Sequence, residues 1–214
     1  MKLIIFDLDG TLLNTIDDLS ASVNHALWEY GFTPRSVAEC RNFVGNGVIK
    51  LLERALPDYA RNADNLTRLR EAFFNYYDGH LWDKTRPYAG MKGILASYQA
   101  RGIKLAVASN KYQSATERLI EHFFPQIPFA AVFGQRDNVP VKPHPQIVQD
   151  ILAVSGETGQ NALYIGDSDV DMQTAQNAGV KTCGVTWGYK PREVLAACRP
   201  NYLIDTPQEL VNLI

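Results

Sequence analysis

Asp7 and Asp9 close the apolar run "KLIIF" (Lys2–Phe6), with only Leu8 between them and Gly10-Thr11 directly behind. Like charges this close repel, and the end of a buried strand has no structural use for two acids. Other chemically able groups stand at similar places. The run "IKLAVAS" (Ile103–Ser109) leads into Asn110 and Lys111, and Lys142 stands in "VKPHP". "ALYIG" (Ala162–Gly166) is followed by Asp167, Ser168, Asp169 and Asp171. Acid clusters of this kind hold Mg²⁺, a hard cation that takes oxygen ligands. A carboxylate can attack phosphorus and become an aspartyl phosphate, while a second acid gives a proton to the leaving oxygen and later takes one from water. A lysine and helix-terminal N–H groups stabilise phosphoryl charge. Enzymes accelerate phosphate monoester hydrolysis by up to ~10²¹-fold, which no single group supplies. Several of these residues also have a structural use, Ser109-Asn110 as a helix cap and Ser168 with Asp171 as a capping box. The Asp7/Asp9 pair has none.

Positioning these groups falls to a recognisable set of elements. Besides the runs above, "AAVFG" (Ala130–Gly134), "VKTCGV" (Val180–Val185) and "NYLI" (Asn201–Ile204) read as strands separated by helical stretches. Near-continuous apolar strands alternating with helices predict an α/β fold, a parallel sheet buried on both faces. Ligands of such sheets bind beyond the carboxyl ends of the strands, which is where the acids, Ser109 and Asn110 lie. The segment from Ile16 to Thr85 carries no strand pattern. Val23, Ala26, Leu27 and Tyr30 recur at helical spacing before Gly31; Val48–Leu56 repeats the pattern before Pro57; Leu66–Trp82 is a longer helical stretch. The expected organisation is a catalytic core of residues 1–14 and 86–214 interrupted by a helical unit of residues 15–85.

Composition narrows the function classes. The 214 residues include 46% hydrophobic and 21% charged residues with a net charge of −2, which argues against a general nucleic-acid or acidic-membrane binder. Cys40, Cys183 and Cys198 lie far apart with no CxxC pair and read as reduced thiols of a cytosolic protein. Asp7 interrupts the first apolar run too early for a signal peptide, and no run nears the roughly 20 residues a membrane span needs. The expected location is cytoplasmic.

"DLDGT" (Asp7–Thr11), "SNK" (Ser109–Lys111), "KPHP" (Lys142–Pro145) and "GDSDVD" (Gly166–Asp171) resemble, in order, the four motifs of the haloacid dehalogenase-like phosphatases. That resemblance implies a Rossmann-like three-layer core with an inserted C1 cap. It implies Asp7 as nucleophile, Asp9 as general acid/base and Lys142 as the group that neutralises the phosphoaspartate. It also implies Gly10, Thr11, Ser109 and Asn110 around the phosphoryl group, and Mg²⁺ held by Asp7, the Asp9 carbonyl, Asp167 and, from close by, Asp171. Within that superfamily, "RNFVGNGVIKLLERAL" (Arg41–Leu56) resembles the cap segment of bacterial phosphoglycolate phosphatases, although Asn14-Thr15 stands where Asp-Ser is usual. The implied substrate is a small phosphate ester, 2-phosphoglycolate first. Gly45, Asn46 and Gly47, with Arg41 or Lys50, are the expected cap residues for its carboxylate. A monomer or homodimer is expected.

Other readings fit less well. There is no GxxxxGK[ST], "GNG" lacks a dinucleotide fingerprint's third glycine, and neither acidic run has glycine at the sixth position of an EF-hand loop. His25, His80, His122 and His144 show no ligand spacing. Phosphosugar mutases of the same fold typically carry Glu-Asp-Ser where this chain has Gly166-Asp167-Ser168. Receiver domains carry their acceptor aspartate mid-chain and have no cap after the first strand. The phosphonate-cleaving branch uses a cap lysine, for which Lys50 is the candidate, but Asp9 favours ester hydrolysis. Another phosphorylated substrate, such as a sugar phosphate, nucleotide or pyrophosphate, remains the alternative.

Overall fold

The structure, a computed structural model, describes residues 1–213. The described residues form two compact units, one of residues 1–14 and the chain from Pro87 onward and the other of residues 15–86.

The first unit is built on β1 (Leu3–Phe6), β4 (Lys104–Tyr112), β5 (Phe129–Gln135), β6 (Ala162–Gly166), β7 (Lys181–Val185) and β8 (Tyr202–Ile204). β2 (Leu13–Asn14) and β3 (Arg86–Pro87) form a separate two-stranded sheet. The six strands are all parallel, in the order β5-β4-β1-β6-β7-β8. Every residue of β1 and β6 is buried, which is why these segments are continuously apolar rather than alternating. Leu3, Ile5, Ala106, Ala108 and Tyr164 share one cluster with Ile147, Val148 and Ile151 of α7 (Gln146–Ser155). Ile4, Phe6, Val107 and Ile165 alternate with them and are equally buried, so both sheet faces are covered. α5 (Met91–Ala100), α6 (Gln113–Phe123), α8 (Asp169–Asn177) and α9 (Arg192–Ala197) complete the layers. β1 sits between β4 and β6, so the carboxyl ends carrying Asp7, Ser109–Lys111 and Asp167 are neighbours.

The second unit holds α1 (Ile16–Glu29), α2 (Val37–Phe43), α3 (Val48–Ala55) and α4 (Ala63–Tyr77). Leu19, Val23, Ala26 and Leu27 of α1 are buried, as are Leu69, Ala72, Phe73 and Tyr77 of α4. Asp18, nearly fully buried, accepts hydrogen bonds from Lys84 N, Thr85 N and Thr85 Oγ1, tying the end of this unit's chain to its beginning. That charge is held by three donors rather than by a cation, a common way to satisfy a buried carboxylate.

Two expectations differ in detail. The strand expected to stop at Ser109 continues to Tyr112, and α6 starts only at Gln113, so Ser109 and Asn110 do not cap a helix. The stretch expected as a helix to Trp82 ends at Tyr77, before Asp78-Gly79.

Candidate active site

Asp7 N donates to Ile165 O at 2.9 Å, extending the sheet one residue past β1 and fixing where the Asp7 side chain begins. The chain then turns sharply. Leu8 O accepts N–H bonds from Thr11, Leu12 and Leu13 at 3.3, 3.1 and 3.0 Å. Gly10 lies in this turn at φ +90°, and a Cβ on it would stand 2.4 Å from Asp167 Oδ2. Only glycine satisfies both the conformation and the close approach.

Asp167, on the loop after β6, is buried and held from two sides. Thr11 Oγ1 donates to its Oδ1 at 3.1 Å, and Tyr189 N donates to its Oδ2 at 2.6 Å. Trp187 Nε1 donates to Thr11 O at 3.1 Å, so the loop from β7 braces the turn that braces Asp167. Asp171 is fully buried at the start of α8. It closes a capping box in which Ser168 N and Oγ donate to its Oδ2 and its own N–H donates to Ser168 Oγ. The capping use of Asp171 is therefore real, yet it occupies Oδ2 and leaves Oδ1 for Lys142, whose Nζ stands 2.7 Å away.

Lys142 is the electrostatic centre. Its ammonium also reaches Asp7 Oδ1 at 2.9 Å and Ala108 O at 3.0 Å, with Tyr164 Oη 3.1 Å away. Asn110 sets the lysine's backbone through a reciprocal pair: Lys142 N donates to Asn110 Oδ1 at 2.8 Å, and Asn110 Nδ2 donates to Lys142 O at 3.1 Å. Desolvation opposes the Lys142 charge, but the Asp171 and Asp7 carboxylates outweigh it and hold the pKa well above that of an ordinary lysine. Burial, with the charge of Asp171, raises the Asp7 pKa to about 7 against the pull of Lys142. Asp167 is likewise pushed well above the usual carboxylate range, first by burial and then by Asp171 and Asp7.

Oxygens of Asp7, Asp167 and Asp171 lie within 4.8 Å of one another. Three carboxylates and one ammonium in a buried site leave an excess of two negative charges, and burial is costly for uncompensated charge. The donor set is all oxygen. Both properties suit a hard divalent cation, so the residues present fit the metal that the motifs imply.

Asp9 pairs with a second lysine. Its Oδ2 stands 3.1 Å from Lys111 Nζ, and both side chains are largely buried. Ser109 is buried within β4, three residues before its end, and its Oγ accepts from Lys111 N at 3.2 Å. The structure thus brings together Asp7, Asp9, Gly10, Thr11, Ser109, Asn110, Lys142, Asp167 and Asp171. It gives Thr11 and Asn110 bonds that position Asp167 and Lys142, uses that sequence reasoning missed. Lys111 and Tyr164 were also missed; Lys111 was visible in "SNK", whereas Tyr164 reads only as a strand residue.

The remaining expected residues belong to the second unit. Gly45 and Gly47 adopt positive φ (125° and 82°), and Gly47 precedes α3. Asn46 Oδ1 accepts from Arg54 Nη2 at 2.8 Å, while Arg54 Nη1 donates to Phe43 O at 2.8 Å. Arg54 is therefore bonded to this loop. Lys50 is about half-exposed and pairs with Glu53 at 2.6 Å, and Arg41 is exposed on α2. His144 is exposed, its Nδ1 accepting from Gln146 N.

Residues 4–185 match the family described as haloacid dehalogenase-like hydrolase. The chain is 36% identical to a phosphoglycolate phosphatase of Mesorhizobium japonicum, over 90% of this chain and 86% of that one. It is 30% identical to a phosphoglycolate phosphatase of Aquifex aeolicus, over 100% and 97% of the two chains. A crystal structure of a predicted phosphoglycolate phosphatase from Haemophilus somnus superposes with a TM-score of 0.91 at 30% identity, covering 100% of this chain and 96% of that one.

Proposed function

The chain belongs to the haloacid dehalogenase-like hydrolases, and from that premise we propose that it is a Mg²⁺-dependent phosphomonoesterase acting through an aspartyl phosphate, with 2-phosphoglycolate as substrate. One observation carries the reading: the buried Asp7–Asp167–Asp171 cluster with Lys142 on two of its members, beside a separate Asp9. In this account an oxygen of Asp7 attacks phosphorus, and the ester P–O bond breaks. Asp9 gives its proton to the leaving oxygen. The Asp9 carboxylate then takes a proton from water, which attacks the same phosphorus, releases phosphate and restores Asp7. Ser109 and Asn110 hold phosphoryl oxygens, and the Lys142 charge balances the phosphoaspartate. Mg²⁺ would be held by Asp7, Asp167 and the Asp9 carbonyl, with Asp171 close by, and when bound would neutralise phosphoryl charge. Residues 15–86 act as the cap that excludes water, with Gly45, Asn46 and Gly47 as its selecting loop.

Gly166 supports hydrolysis over the mutase alternative. The mutases' glutamate would start there, yet a mere Cβ at 166 stands 2.4 Å from Asp171 Cβ in this backbone.

Metal dependence tests the reading. Excess chelator should abolish activity, Mg²⁺ should restore it, and Ca²⁺, with its larger and looser shell, should inhibit. Asp167→Ala should raise the Mg²⁺ concentration for half-activity by at least roughly 10-fold, as loss of ligand-sphere groups typically does. Full turnover in excess chelator would remove the metal from the account. In a screen of small esters, 2-phosphoglycolate should rank first; a hexose phosphate or pyrophosphate clearly ahead of it would overturn the substrate while leaving the chemistry.

A further inference from the structure

The site contains two buried lysines, one beside each catalytic aspartate. Lys142 serves Asp7 and Asp171. Lys111 has no place in the phosphoryl chemistry, yet its side chain is only 3% exposed and its ammonium stands 3.1 Å from Asp9 Oδ2. Burying an ammonium costs several kcal/mol, so an uninvolved lysine at that position would be expensive to keep.

We infer that Lys111 is the cation that recognises a carboxylate on the leaving group, which makes short phosphorylated hydroxy acids the substrate class. The inference rests on the reading of Asp9 as the group that protonates the leaving oxygen. That role brings the ester oxygen within about 3 Å of the Asp9 carboxylate. Lys111 Nζ, 3.1 Å from the same carboxylate, therefore stands on the leaving-group side of phosphorus, whereas Lys142 stands on the nucleophile side. In a two-carbon acid the carboxylate oxygens are three covalent bonds from the ester oxygen, roughly 3.5 Å. An ammonium hydrogen-bonded to Asp9 covers that span, and it has three donors, so it can hold Asp9 and a substrate carboxylate together. The peptide N–H of Lys111 on Ser109 Oγ ties this cation to the residue proposed to hold the phosphoryl group, which fixes the spacing between the two subsites. The carboxylate's cation thus lies in the sheet-based unit, not on Arg41 or Lys50.

The test compares 2-phosphoglycolate with ethyl phosphate, which has the same ester but no carboxylate, for the unmodified protein, Lys111→Met and Lys111→Arg. Lys111→Met should lose kcat/KM on both esters, because it also removes the partner of Asp9, but about 10–150-fold more on 2-phosphoglycolate than on ethyl phosphate, the excess mostly a raised KM. Lys111→Arg should recover part of the loss. A second readout needs no variant: glycolate should inhibit hydrolysis of an uncharged aryl phosphate competitively, and glycolamide should not. Equal losses on both esters, or a selective loss in Arg41→Ala or Lys50→Ala instead, would overturn the role of Lys111 and leave the phosphatase reading standing. Equal inhibition by glycolate and glycolamide would overturn it as well. No hydrolysis of any ester with Mg²⁺ present would instead remove the proposed function itself.

Discussion

Asp7→Asn should lose at least roughly 10⁴-fold in kcat, because an amide cannot attack phosphorus usefully and removing a covalent nucleophile costs losses of this size or more. The same variant should be more stable than the parent when both are free of metal. The folded pKa of Asp7, about 7, lies above the ordinary aspartate value of 3.8, so the native state binds more protons between those values. Stability therefore falls as pH rises through that window, and the penalty is fully present above about pH 7. Asparagine removes the charge, so the gain should be on the order of 2–4 kcal/mol at pH 8 and close to nothing at pH 4. Thermal melts in chelator at the two pH values read this directly. A residue that supports the fold rather than the chemistry would show the opposite sign.

Lys142→Met should be damaging in both respects. Its ammonium is the compensating charge for Asp7 and Asp171, one nearly and one fully buried. Breaking a buried pair by removing one partner costs about 3–5 kcal/mol, which in a chain of this size lowers Tm by about 6–20 °C. Activity should fall roughly 10²–10³-fold, as for other charge-stabilising groups. Mg²⁺ should restore much of the lost stability, since it also offsets the carboxylates, but little of the activity. Melts and steady-state rates with and without Mg²⁺ separate the two. Full recovery of rate by the cation would mean that Lys142 serves only the fold.

The sheet was legible because parallel strands buried on both faces must be apolar where they are covered, and β1, β6 and the Leu105–Ala108 stretch of β4 are. The acids were legible for a related reason: at the ends of such strands a charge is out of place unless it has a task. Capping at Ser168 and Asp171 was legible too, being local in sequence. What escaped notice depends on side chains meeting across long stretches of chain. Thr11 reaches Asp167 over 156 positions, and Asn110 reaches the Lys142 backbone over 32. Neither bond leaves a pattern in the intervening residues. Lys111 was read only as part of a motif, because burial of a lysine is not visible in its neighbours. Arg54 escaped for a different reason. It lies on α3 close to the "GNG" loop in sequence, but which of several nearby cations turns toward that loop is decided by side-chain direction on the helix.

The central claim is that phosphorus is transferred to Asp7 before it reaches water. Asp9→Asn separates the two halves of that reaction, since an aryl phosphate needs no proton to leave while the second half loses its base. The measurement is a rapid acid quench of Asp9→Asn mixed with a small aryl phosphate, followed by borohydride reduction and peptide mapping. The account predicts a burst of phenol, one phosphoryl group on the peptide containing Asp7, and its reduction to homoserine at position 7. A phenol burst with no covalent phosphoryl group on the protein, or with the group on any residue other than Asp7, would contradict it.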